Sequence, residues 1–223
     1  GILFAPSSWL GAAEETKTSD QPAWNQFRGP SGTGVAAPGD RPPLSPDATT
    51  LAWKVPVPPG LSSPILAGPR VLLTGVENGR LVTLAVDRKT GAMAWRREAP
   101  EVPLERVHET SSPAASPPAA DAGRIFVYFG SFGLLCYDFE GAELWRRPLP
   151  TPKSLYGLAT SPVVYKDRVI LVLDNEENLE GSTFSRSRLI ALAKSTELSG
   201  RIFAPQVLVD PGRVDERSEG YGS

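Results

Sequence analysis

A repeat about 50 residues long, marked by Ser-Pro pairs and tryptophans, constrains this fold more than any other feature of the sequence. Three units each open on a Ser-Pro pair: Ser63-Pro64, Ser116-Pro117 and Ser161-Pro162. Their starts are 53 and 45 residues apart, and Trp95 and Trp145, 50 residues apart, close the first two. Because proline cannot donate to a ladder, each Ser-Pro pair marks the beginning of a strand. Repeats of this size cannot bury a core alone and must stack on their neighbours.

Short apolar runs between turn residues fill each unit and predict strands. They cover residues 51–57, 70–74, 80–86, 124–129, 134–139, 168–173 and 188–192. Asn78-Gly79 lies between two runs and predicts a two-residue hairpin, because both residues tolerate positive φ. No window shows a helical stripe. Four short strands per period are typical of a propeller blade, so we expect an all-β partial β-propeller with three to four four-stranded blades of a larger ring.

Composition divides the chain into four regions. Residues 1–13 are apolar and end in small residues before Glu14, which predicts a signal-peptide remnant and linker over residues 1–20. Residues 21–60 are expected to form an extended N-terminal segment with a closing strand at 51–57, and residues 61–195 the blades. Residues 196–223 lack the repeat signature and read as a divergent tail, which a truncation or a frame shift would explain.

Charge and cysteine content narrow the possible partners. The chain has 23 Lys and Arg against 25 Asp and Glu, a net charge of -2, so no basic surface favours nucleic acid. No apolar stretch approaches the ~20 residues that a membrane-spanning helix needs. With Cys136 alone, the chain can form neither an internal disulfide nor a thiolate metal cluster.

The sequence AVDRKTGAMAW at residues 85–95 resembles the tryptophan-docking motif of quinoprotein, or pyrroloquinoline-quinone-like, β-propeller repeats. A second copy, CYDFEGAELW at residues 136–145, is one residue shorter and lacks the threonine. The docking residues that the resemblance implies are Ala85, Asp87, Thr90, Gly91, Trp95, Asp138, Gly141 and Trp145. Residues 24–35 and 51–57 resemble the start of exported bacterial propellers of this kind. The resemblance covers residues 24–192, and it implies that the tryptophans are structural rather than ligand-stacking.

Two functions are compatible with this resemblance. The first is a non-catalytic exported repeat protein, periplasmic or secreted, that acts as an interaction scaffold for a protein partner in the bacterial cell envelope. The alternative is a fragment of a quinone-dependent oxidoreductase of the alcohol dehydrogenase type. In those enzymes the resemblance implies adjacent cysteines, a bound calcium, a catalytic Asp and a Trp floor under the cofactor. One cysteine cannot form the pair, so we expect no catalytic, metal-binding or cofactor-binding residues, with pyrroloquinoline quinone and calcium entering only under the alternative.

Two loops carry side chains with possible chemistry. His108 and Glu109 lie in a polar loop between the first two units, where we expect a binding surface rather than a catalytic triad. Asp174, Glu176 and Asn178 alternate as calcium-loop ligands do, but the glycine that makes the turn stands at position eight, Gly181, instead of position six. A solvated acidic loop is the favoured interpretation.

Overall fold

The computed structural model describes residues 24–36, 50–121, 123–154, 156–175 and 187–195. Eleven strands and one 3-10 turn, Pro30–Gly32, make up the regular structure of these residues. The strands are β1 (Ile65–Ala67), β2 (Arg70–Glu77), β3 (Arg80–Asp87), β4 (Met93–Glu98), β5 (Ala119–Asp121), β6 (Arg124–Phe129), β7 (Gly133–Tyr137), β8 (Glu143–Pro148), β9 (Val163–Tyr165), β10 (Arg168–Leu173) and β11 (Arg188–Ala193). None of the described residues belongs to a helix long and apolar enough to cross a membrane.

The strands form three antiparallel sheets, each built from strands consecutive in sequence. Blade 1 is β1-β2-β3-β4, blade 2 is β5-β6-β7-β8, and blade 3 is β9-β10-β11. This up-and-down order, with one sheet per sequence repeat, is the blade topology of a β-propeller. The expected all-β partial propeller is therefore confirmed, with three strands rather than four described in blade 3.

One hairpin turn and one register shift define the strand pairing of blade 1. Asn78 and Gly79 join β2 to β3 with φ of 50° and 73°, as the sequence predicts, and Glu77 pairs with Arg80 across them. A register shift lies between Ala85 and Val86 on β3, just before the turn into β4. Blade 2 has the same shift between Cys136 and Tyr137. Because a bulge bends its strand and adds twist, both blades turn the fourth strand in the same way.

Apolar residues fill the two junctions between sheets. One buried cluster joins blade 1 to blade 2, with Leu72, Ala85 and Trp95 on one side and Ile125 and Leu135 on the other. A second cluster joins blade 2 to blade 3: Phe126, Tyr128, Leu134, Cys136, Trp145, Leu158, Val169, Leu171 and Ile190. Blade 2 is covered on both faces, which explains why every residue of β7 is buried. The edge strands β4 and β8 each have one buried residue, Trp95 and Trp145, and are otherwise exposed or partly exposed.

The first strands of the sheets lie together at one side of the arc, because β5 contacts both β1 and β9. The N-terminal residues Trp24 and Asn25 lie across two of these inner strands. The amide of Leu66 donates to the carbonyl of Trp24 at 2.7 Å, and the amide of Ala120 donates to that of Asn25 at 2.8 Å. The side-chain amide of Asn25 donates to the carbonyl of Ala120 at 2.7 Å. These three bonds tie blade 1 to blade 2 near the axis.

The closing strand expected at residues 51–57 stays a prediction, because it needs a ladder partner other than the described sheets. This segment contains no strand, because among the described residues no sheet offers it a ladder partner. It lies instead on the face of blade 1 that points away from blade 2, with its Trp53 indole donating to the carbonyl of Arg88 at 2.9 Å. The predicted regions 1–20 and 196–223, and Glu176, Asn178 and Gly181 of the acidic loop, lie outside the described residues.

Candidate functional site

An aspartate turn joins the third strand of blade 1 to the fourth. Oδ1 of Asp87 accepts hydrogen bonds from the amides of Lys89 at 3.0 Å and Thr90 at 2.9 Å and from the Thr90 hydroxyl at 2.9 Å. The bonds from Thr90 are the main reason why the pKa of Asp87 lies below its usual value. Gly91 closes the turn with φ of 74° and donates its amide to the carbonyl of Asp87. In blade 2, Asp138 makes the equivalent turn without a threonine.

Each such turn contacts a tryptophan from an earlier part of the chain. The Trp95 indole donates to the carbonyl of Phe139 at 2.9 Å, and its ring lies on Gly141, where an added Cβ would be only 2.7 Å from Cδ2. Arg97 lies over the same ring at 5.9 Å and donates from Nε to the carbonyl of Gly141 at 2.6 Å. Trp95 is 6% exposed, so the contact is almost dry.

The indole hydrogen bond occurs at three successive places, and the contact of the ring with a glycine occurs at two of them. The Trp53 ring lies on Gly91, where an added Cβ would be only 2.8 Å from the ring. The Trp145 indole donates to the carbonyl of Lys194 at 2.9 Å. The acceptor is always the residue after the aspartate position, occupied by Asp87, Asp138 and, in the third unit, Ala193. Sequence reasoning missed Trp53 and Lys194. The signal that would have found Trp53 is a tryptophan followed later in the chain by an Asp-x-x-x-Gly or Asp-x-x-Gly turn.

The sequence-predicted docking residues lie at the turns and at the junctions between blades, and the predicted loop residues lie elsewhere. Ala85 pairs across the ladder with Trp95 and is fully buried, in the same turn region as Asp87, Thr90 and Gly91. Trp95 itself reaches the turn that holds Asp138 and Gly141, while Trp145 reaches blade 3. His108 and Glu109 lie away from these turns, in the loop that joins blade 1 to blade 2.

That loop, residues 99–118, is fixed at several points to the sheets beneath it. Near its start the amide of Glu105 donates to Oγ of Ser131 at 3.0 Å. Near its end the carbonyl of Ala114 accepts from the amide of Leu61 at 3.2 Å and from the Thr74 hydroxyl at 3.3 Å. The hydroxyl of Ser116, which is buried, donates to the carbonyl of Leu158 in the next inter-blade loop at 3.3 Å.

At the middle of the loop, His108 packs against a tyrosine of the next inter-blade loop, Tyr156, with ring centroids 5.2 Å apart. Its Nδ1 accepts from the amide of Thr110 at 3.3 Å and lies 2.8 Å from the Thr110 hydroxyl. An accepting Nδ1 places the ring proton on Nε2. Glu109 is exposed.

Glu105 is the most perturbed carboxyl group of the described residues, and sequence reasoning did not select it. Its carboxylate lies on Gly130, and its buried Oε1 has no hydrogen-bond partner among the described residues. Burial raises the pKa of Glu105 to about 7. The fully buried Tyr128 hydroxyl has no described partner either, and its pKa is raised by burial and then by the charges of Glu105 and Asp174. No sequence pattern marks such a site, because it depends on what the loop covers.

The donor groups needed for a quinone and calcium site do not come together in the described residues. No group of three His, Cys, Asp or Glu side chains there could hold a metal ion. Cys136 is the chain's single cysteine, and burial raises its pKa to about 12, so it is neither half of a cysteine pair nor a reactive thiolate. At the inner strands, main-chain groups of Leu66 and Ala120 are already bonded to Trp24 and Asn25. The described residues therefore do not fit this cofactor.

The glycine under Trp95 gives a matched test of the inter-blade contact. Gly79 and Gly141 both have positive φ, 73° and 83°, but a Cβ at Gly79 meets nothing within 4 Å. We expect Gly79→Ala to cost about 1 kcal/mol from backbone strain alone. Gly141→Ala should cost about 3 kcal/mol or more, because it also displaces a buried indole. Urea unfolding of both variants measures the difference, and equal costs would show that the indole contact contributes nothing.

The raised pKa of Glu105 predicts a pH dependence of folding stability. Since the folded pKa of about 7 lies above the ordinary 4.5, the folded state loses stability as pH rises from about 4.5 to about 7, and the full cost remains at higher pH. The whole shift corresponds to about 3 kcal/mol, which partial exposure to solvent reduces to about 1–2 kcal/mol.

We therefore expect Glu105→Gln to stabilise the protein at pH 8 and to have little effect at pH 4.5, as measured by urea unfolding at a series of pH values. Glu109→Gln is the matched control, because Glu109 is exposed in the same loop. An unchanged pH profile in the Glu105 variant would contradict the assignment.

A comparison with protein families supports the repeat architecture. The family model described as outer membrane protein assembly factor BamB matches residues 43–177. Among solved structures, a europium-containing methanol dehydrogenase is similar at 20% identity and a TM-score of 0.39; the match covers 58% of this chain and 22% of that enzyme's chain. No curated protein matches. Because the family model covers more than half of the chain, the protein belongs to the family described as outer membrane protein assembly factor BamB.

Proposed function

We propose that this chain is an exported, non-catalytic propeller-repeat protein of the bacterial cell envelope that binds a protein partner through the loop at residues 99–118. The observation that carries the proposal is that this loop is anchored to three other segments, at Leu61, Thr74 and Ser131, while three side chains near its middle, Arg106, Glu109 and Thr110, are exposed. Loops held by a rigid scaffold are where proteins place recognition residues. A fixed loop also loses little conformational entropy on binding.

The chemistry of the exposed loop side chains suits a polar protein surface. Arg106, Glu109 and Thr110 are exposed, and Glu101 near the start of the loop has an 85% exposed side chain that pairs with Arg80 at 2.6 Å. Charges of both signs favour a partner with a mixed polar rim rather than a polyanion.

We assign the tryptophans to docking between blades rather than to ligand stacking. This assignment is supported by the indole hydrogen bonds of Trp53, Trp95 and Trp145, each 2.9 Å long and each made to the neighbouring turn. A ligand-stacking ring needs one open face, whereas Trp95 and Trp145 are 6% and 8% exposed. The aspartate turns then act as the receiving surfaces.

The proposed location rests on two observations. The family description names an outer membrane assembly factor, and the apolar residues 1–13 followed by Glu14 have the pattern of an export signal. The single cysteine cannot form an internal disulfide, so the cysteine content does not oppose export. A periplasmic or secreted scaffold accounts for both observations.

The alternative function, a quinone-dependent oxidoreductase, predicts that the chain binds its cofactor. We expect the purified chain, incubated with pyrroloquinoline quinone and calcium, to release the quinone on gel filtration and to show no alcohol-dependent dye reduction. The reason is the donor set: one buried cysteine and no described group of three metal-ligating side chains. Quinone retained in a one-to-one ratio, together with turnover, would favour the oxidoreductase instead.

Site-directed photo-crosslinking in cells tests the scaffold function. A photoreactive residue at Glu109 is expected to give a discrete adduct with an envelope protein. Lys89 is the matched control, because it is exposed in the turn after β3, at the opposite end of blade 1 from the loop that follows β4. Adducts of equal yield from Lys89, or none from Glu109 and Arg106, would contradict partner binding through this loop.

A further inference from the structure

The turn between β6 and β7 binds both inter-blade loops at one end of blade 2. The hydroxyl of Ser131 in this turn accepts from the amide of Glu105 at 3.0 Å, and its carbonyl accepts from the Thr151 hydroxyl at 3.4 Å. Two residues after Thr151, the amide of Lys153 donates to Oδ1 of Asn175 at 2.8 Å, just beyond the end of β10. These bonds bring the first loop, the second loop and the end of β10 together.

At this place the carboxylate of Glu105 is buried without a partner. It lies on Gly130, where a side chain of residue 130 would otherwise be, and its Oε1 accepts no hydrogen bond from the described residues. Burial is the cause of its raised pKa, and no neighbouring charge opposes the shift. A buried carboxylate without a partner destabilises the folded chain. Groups that reduce stability in this way are typical of binding sites rather than of structural positions.

The hydroxyl of Tyr128 is a second unpartnered polar group at the same junction. Tyr128 is fully buried in the cluster between blades 2 and 3, and its hydroxyl makes no described hydrogen bond. The charges of Glu105 and Asp174 both raise its pKa, so both carboxylates lie within electrostatic range of this hydroxyl. It bonds to neither of them. Two unpartnered oxygens and the exposed Asp174 therefore lie around one site at the end of the junction.

No described cation balances these two carboxylates. Arg106 of the first loop and Lys153 of the second loop are exposed, and no ion pair of the described residues includes Glu105 or Asp174. The described part of the chain also brings together no three His, Cys, Asp or Glu side chains that could hold a metal ion. The site therefore favours an organic cation with several hydrogen-bond donors.

We propose that the partner of this loop inserts an arginine side chain between Glu105 and Asp174, with the Tyr128 hydroxyl as a further acceptor. This inference rests on the loop function proposed above and names the group of the partner that is recognised. A guanidinium group has five N–H donors in one plane and is more weakly hydrated than an ammonium group. Arginine is also enriched among the residues that contribute most to protein interfaces. Asp174 is exposed, so the cation enters from its side.

Titration of the purified full chain with n-butylguanidinium chloride tests the site without the partner. We expect saturable changes in the amide resonances of Gly130 and Ser131. The measured pKa of Glu105 should fall when the probe is bound, because a ligand that binds only the ionised carboxylate favours that form. n-Butylurea has a similar shape and no charge, so it should change neither readout. Equal binding of n-butylurea, or tighter binding of n-butylammonium, would overturn the assignment to an arginine.

Three variants test the individual contacts. Glu105→Gln should weaken binding of n-butylguanidinium at least about tenfold, Tyr128→Phe about threefold and Asp174→Asn about threefold. We expect Glu105→Gln to be the more stable protein at pH 8, and Tyr128→Phe removes a hydroxyl without a described partner, so unfolding does not explain the losses. Glu140→Gln and Asp167→Asn are the matched controls, because these exposed carboxylates lie at the opposite ends of blade 2 and β10.

Photo-crosslinking in cells tests whether the partner supplies the cation. With a photoreactive residue at Glu109, the adduct should decrease at least about fivefold when Glu105→Gln is added and stay unchanged when Glu140→Gln is added. Equal adducts in both backgrounds would overturn this inference and leave the loop function in place. Absence of the adduct from the otherwise native chain would contradict the loop function, whereas failure of the n-butylguanidinium titration would overturn the arginine site by itself.

Discussion

The contact of a tryptophan ring with the glycine turn of the next blade is the interaction on which the rest of this structure depends. It fixes a fourth strand to its neighbour through one hydrogen bond and one ring face, and it needs a turn without a side chain at one position. Gly91 and Gly141 meet that need with φ of 74° and 83° and no Cβ beneath the ring. The aspartate oxygen holds the turn in this shape by accepting amides that would otherwise point into solvent.

The contacts of Trp95 and Trp145 explain where the two buried apolar clusters lie. Once Trp95 holds blade 1 to blade 2, Leu72 and Leu135 are brought into one apolar layer, and Trp145 does the same for Phe126 and Val169. Lys194 contributes twice at the second junction, through its carbonyl to Trp145 and through its ammonium group to Asp121. Each blade therefore depends chiefly on its neighbours, as in other repeat proteins.

Most of the fold was predictable from sequence because it is encoded locally. Alternation, Ser-Pro starts and the Asn78-Gly79 hairpin mark strands within a few residues of one another, and the spacing of Trp95 and Trp145 shows the period. The status of residues 51–57 was not predictable, because a strand exists only when a ladder partner is present. The burial of Glu105 was not predictable for a similar reason, because it depends on Gly130 and Ser131, which are remote in sequence. His108 was found as a loop residue, but its packing against Tyr156 requires the neighbouring loop.

The bonds of Trp24 and Asn25 to the inner strands have a consequence for the order of folding. Asn25 bonds to Ala120, which is 95 residues later in the chain. During synthesis Trp24 and Asn25 leave the ribosome before either blade, yet their second binding surface does not exist until β5 has emerged and joined blade 2. Closing so long a loop has an entropic cost that is recovered only when both blades are formed. Trp24 and Asn25 are made before either blade, yet they are among the last of these residues to reach their native place, and their arrival reports that the first junction is complete.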